Sequence, residues 1–363
     1  MKLTQFAVLS MLVSGSLIAQ DVNTVGTITQ QVKIPDTQFS TGKNTPRTPT
    51  SSVRDIKLLD VQLSDKARQH LAKTAKNALN SQQQFAKNAT GSKYPPKVEL
   101  GMNKVPVLDQ GGFGTCVTFA NTAAMDAALN KGDYISQLCQ LELGNYLEKT
   151  TYMPSGWHGS LSGVVLSQMD IFGIVSKKHQ LAHGCAGLTQ YPLNEAMPEA
   201  SMTPEEYHQV SENLLAQDMF WSPVLDIVDA VTTRVDTNKT LDQVKAALKG
   251  GDRLTFGVLL LDFDLGFMGA VGKNNAPGDS WVLTPEIARD IYLKEQFGGH
   301  EMVITSYNDN AVAVDEAGRE HRGLLTLRNS WGSTVGDEGN FYMSYDYFKV
   351  LVIEVQRIGK LSA

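Results

Sequence analysis

The chain has 363 residues, of which 42% are hydrophobic and 19% charged, a mixture too apolar for a disordered protein and too polar for a multi-span membrane protein. A net charge of -6 and a pI near 5.7 exclude the basic face of a general nucleic-acid binder, and three cysteines are too few for a disulfide scaffold or a cysteine-rich zinc site. The expectation is a soluble globular protein with a large core, no nucleic-acid partner and no stable membrane association.

Met1-Lys2 followed by an apolar stretch from Phe6 to Ala19 reads as a secretory leader, residues 1–19, cleaved near Ala19–Gln20. Residues 23–54 are rich in Thr, Ser, Gln and Pro and read as extended or loosely ordered. Ser64-Asp65 then caps a helix with Leu63, Ala67, Leu71, Ala75 and Leu79 near one face, reaching Phe85 before Gly91 and Tyr94-Pro95-Pro96. Residues 20–97 carry 12 Lys/Arg against 5 Asp/Glu, so with Lys2 counted the remainder, 98–363, carries -14. A basic arm on an acidic body can dock on it through opposite fields or serve as a solubilising linker, and charge alone does not choose between them.

Beyond residue 98 the pattern is α+β. A helix is predicted from near Thr115 through Leu129, ended by Lys131-Gly132. Thr203-Pro204-Glu205-Glu206 starts another, and Thr240 with Gln243 reads as a capping box for a third, closed by Gly250-Gly251. Strands are predicted at Leu254–Asp262, Met302–Tyr307, Gly323–Arg328 and Gly339–Ser344. His179 and His183 lie four apart, but no Glu follows His179, so they read as surface or packing residues rather than metal ligands.

Chemistry concentrates in three clusters: Gln110-Gly111-Gly112-Phe113-Gly114-Thr115-Cys116, Gly298-Gly299-His300-Glu301 and Asn329-Ser330-Trp331-Gly332. A thiol nucleophile needs its thiolate stabilised, and Cys116 follows a glycine-rich turn where a helix begins and the dipole is positive. His300 can supply a cation and later a proton. Asn329 can hold the imidazole through its second nitrogen, and Trp331 can shield that bond from water. The Gln110 amide and the Cys116 backbone N–H can serve as oxyanion donors. One cysteine at a helix start is ordinarily a small buried hydrophobe; the ordered set of three clusters is what points to catalysis.

These clusters resemble the papain-like cysteine peptidases. Gln110–Cys116 is similar to the family's nucleophile motif, Gly299-His300 before an apolar strand to its histidine motif, and Asn329-Ser330-Trp331-Gly332 to its asparagine motif. The resemblance covers roughly residues 95–350. It implies Cys116 as nucleophile, His300 as acid/base, Asn329 as the residue orienting the imidazole and Gln110 as oxyanion donor. By the same resemblance Gly156-Trp157-His158-Gly159 corresponds to the glycine-rich wall of the substrate groove. Gly159, His158, Glu301 and Trp331 are the substrate-binding candidates.

Three departures stand out. Val117 follows the nucleophile where the family has Trp, and Glu301 follows the histidine where a small residue is usual. The Cys-to-His separation is 184 residues, against about 130–150 in the family. The surplus is assigned to insertions near 195–235 and 262–298. Cys139 and Cys185 could form a disulfide in an exported protein.

The expected architecture is a two-lobed papain-like α+β fold: a leader (1–19), a basic pro-segment with one helix (20–97) and a catalytic domain (98–363). A helical lobe carries Cys116, and a β-rich lobe carries His300 and Asn329. The expected function is a secreted cysteine endopeptidase made as a proenzyme, using no cofactor or metal. Its partners are protein or peptide substrates and its own pro-segment as intramolecular inhibitor. An amidase or transpeptidase on this scaffold, and a non-catalytic binding protein that kept it, remain alternatives.

Overall fold

The computed structural model describes residues 21–34, 52–85, 93–151, 154, 156–193, 196–215, 217–231, 236–261, 270–294 and 296–361. The leader expected at 1–19 lies outside the described residues. No helix among them is long and apolar enough to cross a membrane.

The N-terminal segment folds as a hairpin and a helix. β1 (Val22–Ile34) pairs antiparallel with β2 (Ser52–Leu63), from Val22 opposite Leu63 to Ile34 opposite Ser52, with an irregularity around Gly26. α1 (Asp65–Phe85) follows, and the Ser64 hydroxyl accepts from the Ala67 N–H as the cap predicted. The expectation of loose structure over 23–54 is therefore corrected at both ends. The signal was present in β2 but two-faced. Ile56 and Leu58 are buried on one side of the strand and Leu59, Val61 and Leu63 on the other, so the alternation that marks a half-exposed strand is missing.

After β3 (Lys97–Glu99) the chain builds a helical lobe from α2 (Cys116–Leu129), α3 (Gln137–Thr151), α4 (Ser162–Phe172), α5 (Lys177–His183) and α6 (Pro204–Val210). α2 is buried from Cys116 through Ala127, with Asn121 and Asp126 among its buried polar residues, and Asn130 ends it in the left-handed conformation. α6 has the full capping box, with Thr203 and Glu206 exchanging bonds and Pro204 in the first turn. Cys139 of α3 is disulfide-bonded to Cys185, just beyond α5, as the sequence allowed.

The β-rich lobe follows: β4 (Met219–Leu225), α7 (Ile227–Val231), α8 (Thr237–Gly250), β5 (Arg253–Leu260), β6 (Gly272–Lys273), β7 (Ser280–Trp281), α9 (Pro285–Leu293), β8 (Gln296–Asp315), β9 (Glu320–Arg328), β10 (Asn340–Ser344), α10 (Tyr345–Leu351) and β11 (Val352–Lys360). Strand order is β4-β11-β5-β8-β6-β7-β10-β9, with β8 also pairing β9. All four predicted strands are present, with β8 longer at both ends than expected. α8 begins earlier than predicted: Asp236 is the cap, accepting from Asn238 and Lys239, and Thr240 lies buried inside the helix.

β2 joins this sheet. It pairs antiparallel with β8 from Leu59 opposite Gly299 to Gln62 opposite Gln296. Ile56, Leu58, Val61, Ala67, Leu71 and Ala75 share one core with Ile287 and Ile291 of α9 and Phe297 of β8. α9, inside the stretch assigned as an insertion, lies directly against α1. Among the described residues, Arg54–Asp109 is the ion pair joining the segment to the body. The docking by opposite fields is thus corrected: strand pairing and apolar burial carry it, at about 1.5–3 kcal/mol per buried aliphatic side chain.

Glu142 of α3 is buried, with neither carboxylate oxygen hydrogen-bonded among the described residues. Burial pushes its carboxyl up to about 8, with Lys149 pulling the other way. The folded chain keeps this proton through a window, from about 4.5 to about 8, in which the unfolded chain has lost it. Its contribution to stability is therefore complete below that window and lost as pH rises through it. Glu142→Gln should flatten the decline in unfolding free energy across this range, by up to about 1.4 kcal/mol per pH unit. Chemical denaturation at a series of pH values checks this; parallel curves for the two chains would contradict it.

Candidate active site

The three sequence clusters meet between the lobes. Cys116 is the first residue of α2, His300 lies in β8 just past Gly298-Gly299, and Asn329 follows the last residue of β9. Because β8 and β9 are paired neighbours, with Val303 opposite Arg328, the asparagine is delivered to the histidine. His300 Nε2 and Asn329 Oδ1 are 2.8 Å apart. A carbonyl oxygen can only accept, so Nε2 carries the proton and a neutral ring leaves Nδ1 as its basic nitrogen. Nδ1 has no partner and belongs to a ring lining the same cavity as Cys116. Trp331 stacks on the His300 ring at 4.5 Å and is fully buried, giving that hydrogen bond an apolar cover.

The nucleophile loop is fixed by close backbone approaches. A Cβ on Gly111 would lie 2.4 Å from the Leu193 carbonyl oxygen, and one on Gly114 would lie 2.9 Å from the Gly159 nitrogen. Only glycine fits at either place. The Gly114 N–H donates to the Trp157 carbonyl, so the wall expected at Gly156–Gly159 does stand beside Cys116. Gln110 is buried and held from both ends. Its Nε2 donates to the Phe113 carbonyl at 2.7 Å and its Oε1 accepts from the Ser330 hydroxyl at 2.7 Å. One of its two amide hydrogens is therefore already engaged.

Of the substrate-binding candidates, Gly159 and Glu301 line the cavity with Cys116 and His300, while Trp331 lies behind the imidazole. His158 is not brought in: it is half-exposed and sits 3.7 Å from the Glu148 carboxylate. Trp157 and His158 form the turn between the bridged Gly156 and Gly159, with Trp157 buried and His158 left outside.

Several site residues were not singled out from the sequence. Tyr191, which the sequence resemblance marked only as part of a recurring Tyr-Pro turn, donates to the Gln110 carbonyl, bonds the Thr115 hydroxyl and stacks on Trp157. Glu354, a lone acid inside the apolar strand β11, lines the cavity; that isolation was a readable signal. Leu59 and Arg54 come from the N-terminal segment. Leu59 lines the cavity with Cys116 and His300, and a Cβ on Gly159 would lie 2.7 Å from its Cδ1. Arg54 clamps the Asp109 carboxylate bidentately and donates to the Trp331 carbonyl at 3.3 Å.

This cover changes the electrostatics. Burial, above all, pushes the Cys116 thiol up to about 12; the Glu301 backbone N–H lowers it in part, and the Glu301 carboxyl adds to the rise. Burial also pushes the His300 imidazole down to about 4, against the Asn329 bond. The thiolate expected from the helix N-terminus is therefore corrected for this state. Sulfur and imidazole are both neutral, because desolvation outweighs the dipole. A cavity of about 750 Å³ between Ile28, Arg68 and Lys294 lies elsewhere.

No protein-family model matches the chain, and no curated protein matches it. Among solved structures it is similar to xylellain, a cysteine protease from Xylella fastidiosa, at 21% identity over 76% of this chain and 91% of that one, with a TM-score of 0.46. The Amb a 11 cysteine protease of ragweed pollen, in its proform, is 17% identical over 76% and 67%, with a TM-score of 0.42. Digestive procathepsin L 3 of Tenebrio molitor larval midgut is 13% identical over 76% and 72%, with a TM-score of 0.41.

Proposed function

We propose that the chain is the secreted proenzyme of a papain-like cysteine endopeptidase, with leader 1–19, pro-segment 20–97 and catalytic domain 98–363. The observation that carries this reading is the His300 Nε2–Asn329 Oδ1 bond beneath Trp331, with Nδ1 unpartnered in the cavity lined by Cys116. In this reading the uncovered Cys116 passes its proton to His300 Nδ1, and the thiolate Sγ then bonds to the peptide carbonyl carbon. The carbonyl oxygen becomes an oxyanion beside the Cys116 N–H and the free amide hydrogen of Gln110. The C–N bond breaks as Nδ1 returns its proton to the departing amine, leaving a thioester. Water then attacks that thioester, giving a proton to Nδ1; the C–S bond breaks and the thiolate leaves, restoring the ion pair with the imidazolium. Asn329 keeps the ring in the required tautomer and orientation throughout. Insertions near 195–235 and 262–298 complete the domain, the second supplying α9 as a seat for α1.

The pro-segment acts as the intramolecular inhibitor. β2 occupies the edge of β8 beside His300, and Leu59 closes the cavity. A peptide cannot reach Cys116 until that strand leaves. The disulfide and the apolar leader sequence support export.

The full chain should be inert towards an unfolded protein, and removing residues up to about 97 by limited proteolysis should release activity. Cys116→Ala in the trimmed chain should abolish turnover, and Asn329→Ala should lower kcat by about 10²-fold or more with little change in KM. A trimmed, folded chain that cuts neither unfolded proteins nor peptides would overturn the reading. The cover is tested separately: Leu59→Ala removes a buried side chain at about 2–5 kcal/mol. Alkylation of Cys116 by iodoacetamide in the full chain should accelerate at least tenfold; an unchanged rate would show that β2 does not guard the thiol.

A further inference from the structure

Thr115 stands where a helix cap belongs and does not cap. It is the residue before α2, and a threonine there ordinarily turns its hydroxyl onto the N–H groups of the first turn. Thr203, Thr284 and Ser344 do this at the starts of α6, α9 and α10, whereas Thr115 makes no such bond. Its buried hydroxyl reaches instead to the phenol of Tyr191, 2.9 Å away and 76 residues along the chain. Giving up a cap costs the helix stability, and such local rules are broken mainly where function requires it.

The same phenol lies 2.8 Å from the Gln110 carbonyl. A carbonyl oxygen only accepts, so the phenol hydrogen goes to Gln110 and the Thr115 hydroxyl donates to the phenol oxygen. One directed chain, Thr115 to Tyr191 to Gln110, therefore closes the loop that leads to the nucleophile. Three rings fix the phenol: Trp157 stacks on Tyr191 at 5.7 Å, and Phe113 and Phe119 meet it edge-on at 6.1 and 5.1 Å. Burial, above all, raises the phenol above its ordinary value, so the bridge keeps its proton through the neutral range. The other bonds of Gln110 run to Ser330 and Phe113, and none of these joins it to the start of α2.

Each end of this loop carries one oxyanion donor, the Gln110 amide and the Cys116 N–H. Two donors serve one oxygen only when held at the separation it requires, and a misplacement of about 1 Å can cost about 10²-fold in rate. Resting on the peptidase reading, we propose that Tyr191 is a positioning residue of the oxyanion site, its phenol setting the spacing between the Gln110 amide and the Cys116 N–H. It acts through Gln110 and Thr115 and touches no substrate atom. Its effect falls on the transition state and leaves ground-state binding alone.

Tyr191→Phe keeps the ring and deletes the bridge. In the trimmed chain it should lower kcat about tenfold or more with KM unchanged. In a Gln110→Ala background the same substitution should lower kcat less than about twofold, because one of the two donors is already gone. Equal losses in both backgrounds, or a loss carried by KM, would mark a merely structural part and overturn the proposal. A second measurement needs no turnover and uses the full chain, with glutamine side-chain nitrogens labelled for NMR and Gln110 assigned through Gln110→Glu. Solvent exchange of the Gln110 amide hydrogens should quicken about tenfold or more in Tyr191→Phe, while that of the buried Gln356 stays the same. An unchanged Gln110 rate, or equal quickening at both glutamines, would overturn the proposal whether or not the trimmed chain cuts peptides. Quickening at Gln110 alone, in a chain that cuts nothing once trimmed, would uphold the bridge and sink the peptidase reading instead.

Discussion

Burial of one leucine organises this site. Leu59 rests against Gly159 on one lobe and Gly299 on the other, positions where any side chain would collide with it. The strand that carries it is held by a backbone ladder to β8 and by a core shared with α9. Excluding water from Cys116 and His300 then follows as a matter of geometry. Two groups whose ordinary proton affinities lie only about two pH units apart are driven apart, the thiol upward and the imidazole downward. The Asn329 contact to the imidazole stays in place beneath this cover. If the N-terminal segment inhibits as proposed, it does so by desolvation and leaves the Asn329 contact assembled.

The same packing explains why the segment is part of the body rather than an appendage. Ile56, Leu58 and Val61 are as deeply buried as the strands of the β-rich lobe, and α1 sits on a helix from the 262–298 stretch. Arg54 adds direction at the far side, fastening Asp109 beside the nucleophile loop and the backbone of Trp331. Severing the chain after α1 would remove a covalent tether and leave these contacts standing. Release therefore requires a further loss, of the strand itself or of its apolar grip.

Much of the site was legible from local grammar. Glycines before Cys116, the Gly-His step before an apolar strand and the Asn-Ser-Trp-Gly turn are each forced by close backbone approach or by stacking. Such constraints leave marks in short stretches of sequence. The helix starts at Thr203 and after Ser64 were readable for the same reason. What escaped were features decided by distant partners. β2 is buried on both faces, so its alternation vanished. Asp236 outcompeted Thr240 because a cap is chosen by where the chain enters the helix. His158 was carried into the groove by its neighbours in the motif, yet the buried Trp157 turns it outward. The charge asymmetry was real, but its role was overstated, since fields steer an encounter and apolar area holds it.

The central claim, that β2 keeps Cys116 protonated by excluding water and that its removal restores an ion pair with His300, is tested most directly by the ultraviolet absorbance of the thiolate. Subtracting the spectrum of Cys116→Ala at each pH isolates this one thiol, because Cys139 and Cys185 are disulfide-bonded. The full chain should show no Cys116 thiolate at neutral pH and develop it only in strongly alkaline solution. The chain trimmed to about residue 97 should show it already in mildly acidic solution, well below the ordinary thiol value of about 8.5. Coincident titrations of the two forms, or a trimmed chain that titrates like a free cysteine, would contradict the account.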